Sequence, residues 1–196
     1  MKFCIIRRPA TVLMIFTSVI IISCSQAELT PYQTMVKEEL NRGVSYDSLF
    51  NGLHFKMTST HFYEHCFEMN QQGVFFQHGG SEEIIIKYDQ DFKYPVEFVF
   101  YPEFEEEQIT EIKGHFYYPM GTGFNKEFYA PRLQLELVKK IEEWYGGRSF
   151  LKVQGPDQYS GDAYAKIDGN RQIMLWNHSD NHQVMILFSD LTKKVK

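Results

Sequence analysis

Three residues on one short segment have types and a spacing that could carry out zinc chemistry. His61, Glu64 and His65 follow the pattern H-x-x-E-H. On a helix, histidines four positions apart lie one turn apart and can bind a single zinc ion, while the glutamate can activate a water molecule. A third ligand would have to come from a distant acidic residue, such as Glu142 or its neighbour Glu143. The segment therefore defines a candidate metal-hydrolase site.

This spacing resembles that of the inverted zinc peptidases, and the resemblance implies a metal-bound water as the nucleophile. Three specified residues also arise readily by chance in a chain with seven histidines and 25 acidic residues. Peptidases of this kind are much larger than 196 residues, and histidines beside an apolar stripe are commonly solvated. We therefore expect neither a metal nor another cofactor, and we keep zinc hydrolysis or incidental zinc binding as less favoured alternatives.

Cys66, next to His65, could be read as a nucleophile beside its base. Adjacent side chains on a helix point about 100° apart, so the two residues do not form the hydrogen-bonded pair that this chemistry needs. Cys66 also shares helical spacing with the apolar Phe62 and Met69. The pattern predicts a buried, unreactive core cysteine.

An aromatic stretch bearing glycines lies near the middle of the chain and suggests a binding surface. Phe116, Tyr117, Tyr118 and Phe124 are our candidate contact residues for a peptide, a sugar or a protein partner. The alternative is that these rings fill the core at the seam between two sheets, which is the commoner use of aromatic side chains.

The hydropathy pattern predicts the elements that must position these residues. Apolar residues at helical spacing predict helices at about 28–40, 59–72 and 131–145, with Thr58 as an N-cap and glycines at the helix ends. Between and after them the period shortens to that of strands. Eight β runs follow this pattern: 74–77, 83–88, 96–101, 109–117, 150–153, 164–167, 173–176 and 184–188.

This order of elements predicts an α+β fold made of two helix-plus-antiparallel-meander units, arranged as a tandem repeat. The first unit would span 31–118 and the second 130–196, with a glycine-bearing linker at 119–129. One compact domain is the alternative, because 196 residues suit either arrangement.

The N-terminus has the pattern of a secretory signal. Lys2, Arg7 and Arg8 precede fifteen uncharged residues, fewer than the ~20 that span a bilayer. The stretch ends in Ile21-Ile22-Ser23-Cys24, which resembles the bacterial lipobox. The resemblance implies that residues 1–23 are removed, that Cys24 is lipidated, and that 24–30 form a tether. A plain signal peptide or an uncleaved anchor is the alternative.

Charge and cysteine content limit the function classes. Without Lys2, Arg7 and Arg8, 17 basic residues stand against 25 acidic ones, a net charge of −8. A chain this acidic is a poor nucleic-acid binder, and it has no polybasic segment for anionic lipids. Once Cys24 carries lipid, Cys66 is the single cysteine of the mature chain, so we expect no disulfide within it.

Several motifs in the mature chain resemble those of uncharacterised lipoproteins of Bacteroidetes type. They are Asp47-Ser48-Leu49-Phe50, Phe62-Tyr63-x-His65-Cys66, Tyr101-Pro102 and Trp144-Tyr145-Gly146-Gly147. The likeness spans most of the mature chain, but the group has no established activity to carry over, so it implies no functional residues.

The sequence thus favours a lipid-anchored cell-envelope protein that acts by binding rather than by catalysis. The lipid would hold it in the outer membrane, facing the periplasm or the cell surface, because Ser25 rather than aspartate follows Cys24. Its partner would be another envelope protein, a peptide or a glycan. An inhibitor or immunity-type lipoprotein is the first alternative, with the acidic run 103–107 as its contact surface.

Overall fold

A computed structural model of the chain describes residues 28–77, 79–121, 125–156 and 161–194. The signal segment 1–23 and Cys24 lie outside the described residues. The fold is α+β, as predicted, and most of it is sheet. The helices are α1 (Pro31–Asn41), α2 (Ser59–Gln71), α3 (Ala130–Tyr145) and α4 (Leu191–Lys194), with a short 3-10 helix at Lys126–Phe128. The strands are β1 (Phe76–Gln77), β2 (Ile84–Tyr88), β3 (Val96–Glu105), β4 (Gln108–Tyr117), β5 (Leu151–Gln154), β6 (Asp162–Asp168), β7 (Arg171–Asn177) and β8 (Val184–Asp190).

Local capping signals set the helix ends. Thr30 forms a capping box at the start of α1. The hydroxyl of Thr58 accepts the N–H of His61 and so caps α2, as predicted from the sequence. Gly146 ends α3 with a φ of 59°, in the left-handed region that glycine adopts without strain. No helix in the described ranges is both long and apolar enough to cross a membrane.

The eight strands form one antiparallel sheet in the order β1-β2-β3-β4-β8-β7-β6-β5. Strands β1 to β4 make one meander and β5 to β8 make another. The two meanders meet through their last strands, where residues 111–116 of β4 pair with 184–189 of β8. The sheet is therefore continuous from one half of the chain to the other.

The pairing register separates the sheet into two faces that different helices cover. On one face lies the main core, where the buried Leu133, Leu137 and Ile141 of α3 pack over β4, β7 and β8. On the other face, Ile167 of β6 packs against Met35 of α1. Because side chains alternate along a strand, α1 and α3 lie on opposite sides of the sheet.

Strand β3 is longer than the predicted run 96–101, because it continues through Pro102 to Glu105. Strand β2 begins at Ile84, opposite Phe100. Pro102 therefore has no neighbouring strand on the β2 side, and its missing N–H removes no bond to β2. The turn to β4 is made by Glu106 and Glu107, whose φ values of 49° and 63° match a two-residue hairpin turn.

Candidate functional site

The H-x-x-E-H motif lies on α2, as the sequence predicted, but one of its histidines is already engaged. His61 and Glu64 are exposed. The ring of His65 lies against Phe75, and its Nε2 is 2.6 Å from the carbonyl oxygen of Asn51. A carbonyl oxygen can only accept a hydrogen bond, so Nε2 carries the proton and is not free to ligate a metal.

Glu142, the distant ligand considered for this motif, has a structural contact at the end of α3. Its carboxylate accepts the N–H of Phe150 at 2.8 Å and so closes the turn between α3 and β5. Across the described ranges, no three side chains of histidine, cysteine, aspartate or glutamate are grouped so that they could hold a metal ion. The zinc hypothesis therefore has no assembled ligand set in this part of the chain.

Cys66 is partly buried on α2 and packs against the main core. Burial raises the pKa of its thiol to about 12. A thiol with that pKa stays protonated at neutral pH and is a poor nucleophile. Its environment is therefore that of a core residue.

The four aromatic residues of the predicted binding surface do not share one exposed patch. Phe116 is 2% exposed and stacks on Phe98 at 4.2 Å between ring centroids. Tyr118 is also buried, whereas the half-buried Tyr117 lies on the other face of the sheet and donates to Glu97. Phe124 lies outside the described residues. Contact with a partner stays a prediction for these residues, and two of them present no exposed ring.

The acidic run 103–107 is flanked by cations. Lys113 of β4 forms an ion pair with Glu103 at 2.5 Å and lies 3.8 Å from Glu111. Glu111 in turn is 2.7 Å from Lys194. The run is therefore part of a mixed-charge surface rather than a uniformly acidic one, which reduces its ability to attract a basic partner by charge alone.

An open cleft of about 490 Å³ lies at the C-terminal end of α3. We call it the Arg171 cleft. Five of its lining side chains are aromatic: Tyr46, Phe50, Tyr88, Trp144 and Tyr145. The remaining lining residues are Ser48, Leu49, Asn51, Asp91 and Arg171. A concave, largely aromatic surface with a few polar groups is the usual character of a small-ligand site.

Four separate segments build this cleft. The segment between α1 and α2 supplies one wall and folds back on itself, because the Leu49 N–H donates to the Leu53 carbonyl at 2.9 Å across a turn at Asn51. The last turn of α3 supplies Trp144 and Tyr145. Strand β2 and the loop after it supply Tyr88 and Asp91, and the first residue of β7 supplies Arg171.

The aromatic walls have both a buried and an exposed part. Trp144 is 42% exposed and stacks on Tyr88, with ring centroids 5.7 Å apart. The hydroxyl of Tyr145 donates to the Leu49 carbonyl at 3.0 Å. Burial raises the pKa of the Tyr88 and Tyr145 hydroxyls, so both remain neutral hydrogen-bonding groups in the physiological range. Trp144 and the exposed Tyr46 are the rings that a ligand can reach.

Arg171 lies at the base of the cleft and is only 5% exposed. Its Nη1 donates to the Ser48 carbonyl at 2.7 Å, and its Nη2 is 3.5 Å from Asp168. The guanidinium carbon lies 4.4 Å from the ring centroid of Tyr145 and 5.5 Å from that of Tyr46. Its Nε is buried and has no hydrogen-bond partner among the described residues.

The carboxylate nearest to Arg171 is more tightly held by another cation. Asp168 is 2.9 Å from the Nζ of Lys166, a fully buried side chain. Asp190, the cross-strand neighbour of Arg171, accepts the N–H and hydroxyl of Thr192 instead. Arg171 is therefore a buried cation whose nearest carboxylate interaction is long, and within the described part of the chain only two of its five N–H donors are engaged.

The hairpin turn before Arg171 is fixed by contacts with α1. The fully buried Glu39 accepts the N–H of Gly169 at 3.0 Å and pairs with Arg42 and Arg148 at 2.8 Å each. Burial opposes ionisation of Glu39, but these hydrogen bonds and charges outweigh it and hold its pKa below the ordinary value. The turn is anchored again where the Tyr46 N–H donates to Asn170 at 2.6 Å.

The candidate residues did not point to this cleft, although two of the motifs noted in the sequence line it. The first motif contributes Ser48, Leu49 and Phe50, and the last contributes Trp144 and Tyr145. Arg171, in contrast, had no sequence signal beyond following an Asp-Gly turn. Comparison of the chain with protein-family models, with curated proteins and with solved structures found no match.

Proposed function

We propose that this chain is a lipid-anchored cell-envelope protein that binds a small ligand, or the exposed end of a larger one, in the Arg171 cleft. The observation that supports binding is the combination of aromatic walls with a buried, incompletely paired guanidinium. The described lining includes no histidine or cysteine, and Ser48 has no base beside it there. Its chemistry is therefore that of recognition rather than of nucleophilic or acid–base catalysis.

Attachment to the envelope rests on the sequence pattern that ends at Cys24. Chains of lipid on that residue would hold the protein on a bilayer, since each buried methylene contributes ~0.8 kcal/mol. We expect wild-type protein to incorporate labelled palmitate and to sediment with outer membranes. A Cys24→Ser variant should incorporate no label and lose this attachment. Unchanged labelling of the variant would contradict lipidation at Cys24.

The strand order supports the finer architecture of two helix-plus-meander units. Each half of the sheet is a four-stranded meander that follows a helix, and the halves meet through β4 and β8 in mirror-like order. In this proposal 31–118 and 130–196 are the two units, and the cleft takes wall residues from both, with Tyr46 and Tyr88 from the first and Trp144 and Arg171 from the second.

The wall residue Trp144 allows a direct test of ligand binding. The chain has two tryptophans, and Trp176 alternates along β7 with the core-facing Leu175, so it lies on the opposite face of the sheet. In a Trp176→Phe protein the tryptophan fluorescence therefore comes from Trp144 in the cleft. We would titrate it with N-acetylated dipeptides, short N-acetylglucosamine oligomers, simple sugars and aromatic acids, and follow both fluorescence and thermal unfolding.

We expect at least one of these ligand classes to give a saturable fluorescence change, with a Kd of ~1 mM or tighter, and to raise Tm. A Tyr46→Ala variant should weaken binding without unfolding the protein, because Tyr46 is an exposed wall ring. Tyr129→Ala, an aromatic truncation outside the cleft, is the control. If no class changes either signal, ligand binding at this cleft is wrong.

A further inference from the structure

The unused donors of Arg171 indicate the chemistry of the group that the cleft would accept. The buried Nε has no partner among the described residues, and leaving a buried donor unpaired is unfavourable. The Nη2 contact with Asp168, at 3.5 Å, is too long to be a strong charge-assisted bond. The Nε and Nη2 N–H groups of one guanidinium form a planar fork that fits the two oxygens of a carboxylate.

The acidic residues around this fork limit the charge of the ligand. Asp168 lies beneath Arg171, and the exposed Asp91 lies at the mouth of the cleft. Lys166 balances Asp168, so the charges of the lining are Arg171 and Asp91. A single negative charge on the ligand is matched by Arg171, whereas the second charge of a phosphate monoester would have no further cation of the lining to balance it.

The remaining walls set the shape of the ligand. Trp144 and Tyr46 are exposed aromatic rings that line the same cleft as the guanidinium. Aromatic faces of this kind pack against planar rings and against the apolar faces of sugar rings. A ligand that contacts both Arg171 and these rings must carry its anionic group on, or close to, such a ring.

We infer that the Arg171 cleft selects a ligand with one carboxylate attached to an aromatic or sugar ring; this inference rests on the binding function proposed above. Arg171 is the specificity residue, because it distinguishes a carboxylate from a neutral group of the same shape. The hydrogen bond to the Ser48 carbonyl and the contact with the Tyr145 ring hold the guanidinium in a fixed position.

The test uses two matched pairs of probes on the Trp176→Phe protein, benzoate with benzamide and glucuronate with glucose. Each pair has the same ring and differs in the presence of the carboxylate. We expect the charged member of at least one pair to bind ~10-fold more tightly than its neutral partner, the effect of a charge-assisted hydrogen bond. In Arg171→Gln this preference should disappear, and in Arg171→Lys, which keeps the charge but loses the fork, it should fall.

Arg132→Gln is the matched control, because Arg132 is an exposed cation of α3 whose side chain pairs with Glu136 outside the cleft. It should leave the preference unchanged. If Arg171→Gln does not fold, the wild-type probe pairs together with Arg171→Lys decide the question.

Each other outcome overturns the inference in a recognisable way. Equal binding of charged and neutral members would contradict anion selection but leave binding at the cleft intact. A carboxylate preference that survives both Arg171 variants would place the anion elsewhere. If none of the four probes binds, the inference is wrong, and the dipeptide and oligosaccharide titrations then show independently whether the cleft binds any ligand.

Discussion

The α2 motif and the Arg171 cleft both bring together side chains that could carry out chemistry, but they do so in different ways. Residues 61–65 are neighbours because they are consecutive on one helix. In the cleft, Ser48 and Arg171 are in contact although 123 positions separate them in the chain. The helix alone sets the spacing of the motif residues. The cleft forms only when four separate segments of the chain have folded together.

The difference shows that the spacing of residues along the chain and the availability of their side chains for a ligand are separate properties. The α2 motif has the spacing for a metal, yet the Nε2 of His65 is bonded to the Asn51 carbonyl and the described residues supply no third ligand. Arg171 has no recognisable spacing, yet three of its N–H donors have no partner among the residues that the structure describes. What a group can bind depends on the partners it already has, and those are set by tertiary contacts.

If the cleft depends on long-range contacts and α2 on local ones, glycine substitutions in the two regions should differ in their cost to stability. We expect this difference to be the largest of those proposed here. Gly169 has a φ of 56°, and a Cβ there would lie 2.1 Å from the Val44 carbonyl oxygen. We expect Gly169→Ala to lower the free energy of unfolding by about 3 kcal/mol or more. Urea denaturation followed by circular dichroism measures the change.

Gly73, just after α2, is the matched control. Its φ is 70°, but a Cβ there would meet nothing within 4 Å. Gly73→Ala should therefore lower the free energy of unfolding by about 1 kcal/mol, the cost of placing a side chain at a positive φ. Equal losses for the two variants would mean that the turn at Gly169 is not held against Val44 as described.

Glu39 should show a pH-dependent effect of intermediate size. Its pKa is lowered in the folded protein, so its contribution is present above the ordinary value of 4.5 and is lost as the pH falls through the folded-state pKa. We expect Glu39→Gln to lower stability by about 2 kcal/mol at neutral pH, because the Gly169 N–H and two arginines lose a charged acceptor. The difference from wild type should shrink at about pH 3.

The neighbouring Glu38 provides the control for this effect. It also pairs with Arg148, at 3.0 Å, but its side chain is exposed. Glu38→Gln should change stability by less than about 1 kcal/mol at either pH. A Glu39 effect that is independent of pH would show that its charge does not hold the turn.

The smallest effects are expected on the α2 motif. His61→Ala and Glu64→Gln should alter stability by less than about 0.5 kcal/mol, because both side chains are exposed. His65→Ala should cost about 1 kcal/mol through loss of the bond to Asn51. Thermal unfolding with and without zinc should give the same Tm. A zinc-dependent rise in Tm that His61→Ala abolishes would restore the metal hypothesis.

Much of the fold was predictable, because the signals for it are local. Each observed strand overlaps a predicted β run, and the helix cap at Thr58 was recognised from its residue type. Pro102 misled the prediction, since proline is tolerated in a strand that has no neighbour on one side, and strand neighbours are not visible in sequence. Phe116 and Tyr117 illustrate the same limit, because adjacent aromatics look alike until the sheet assigns one to the core face.

The sequence by itself determined the classes of element and their order, and it predicts a lipid anchor at Cys24, since period, caps and signal composition are properties of consecutive residues. Only the tertiary structure decided which polar groups are satisfied. We propose Arg171 as a site residue because the Ser48 carbonyl, the Tyr145 ring and Asp168 surround it while its Nε has no partner among the described residues. The burial and hydrogen bonding of a side chain depend on residues that are close in space but distant in sequence, so the spacing of residues along the chain does not predict them.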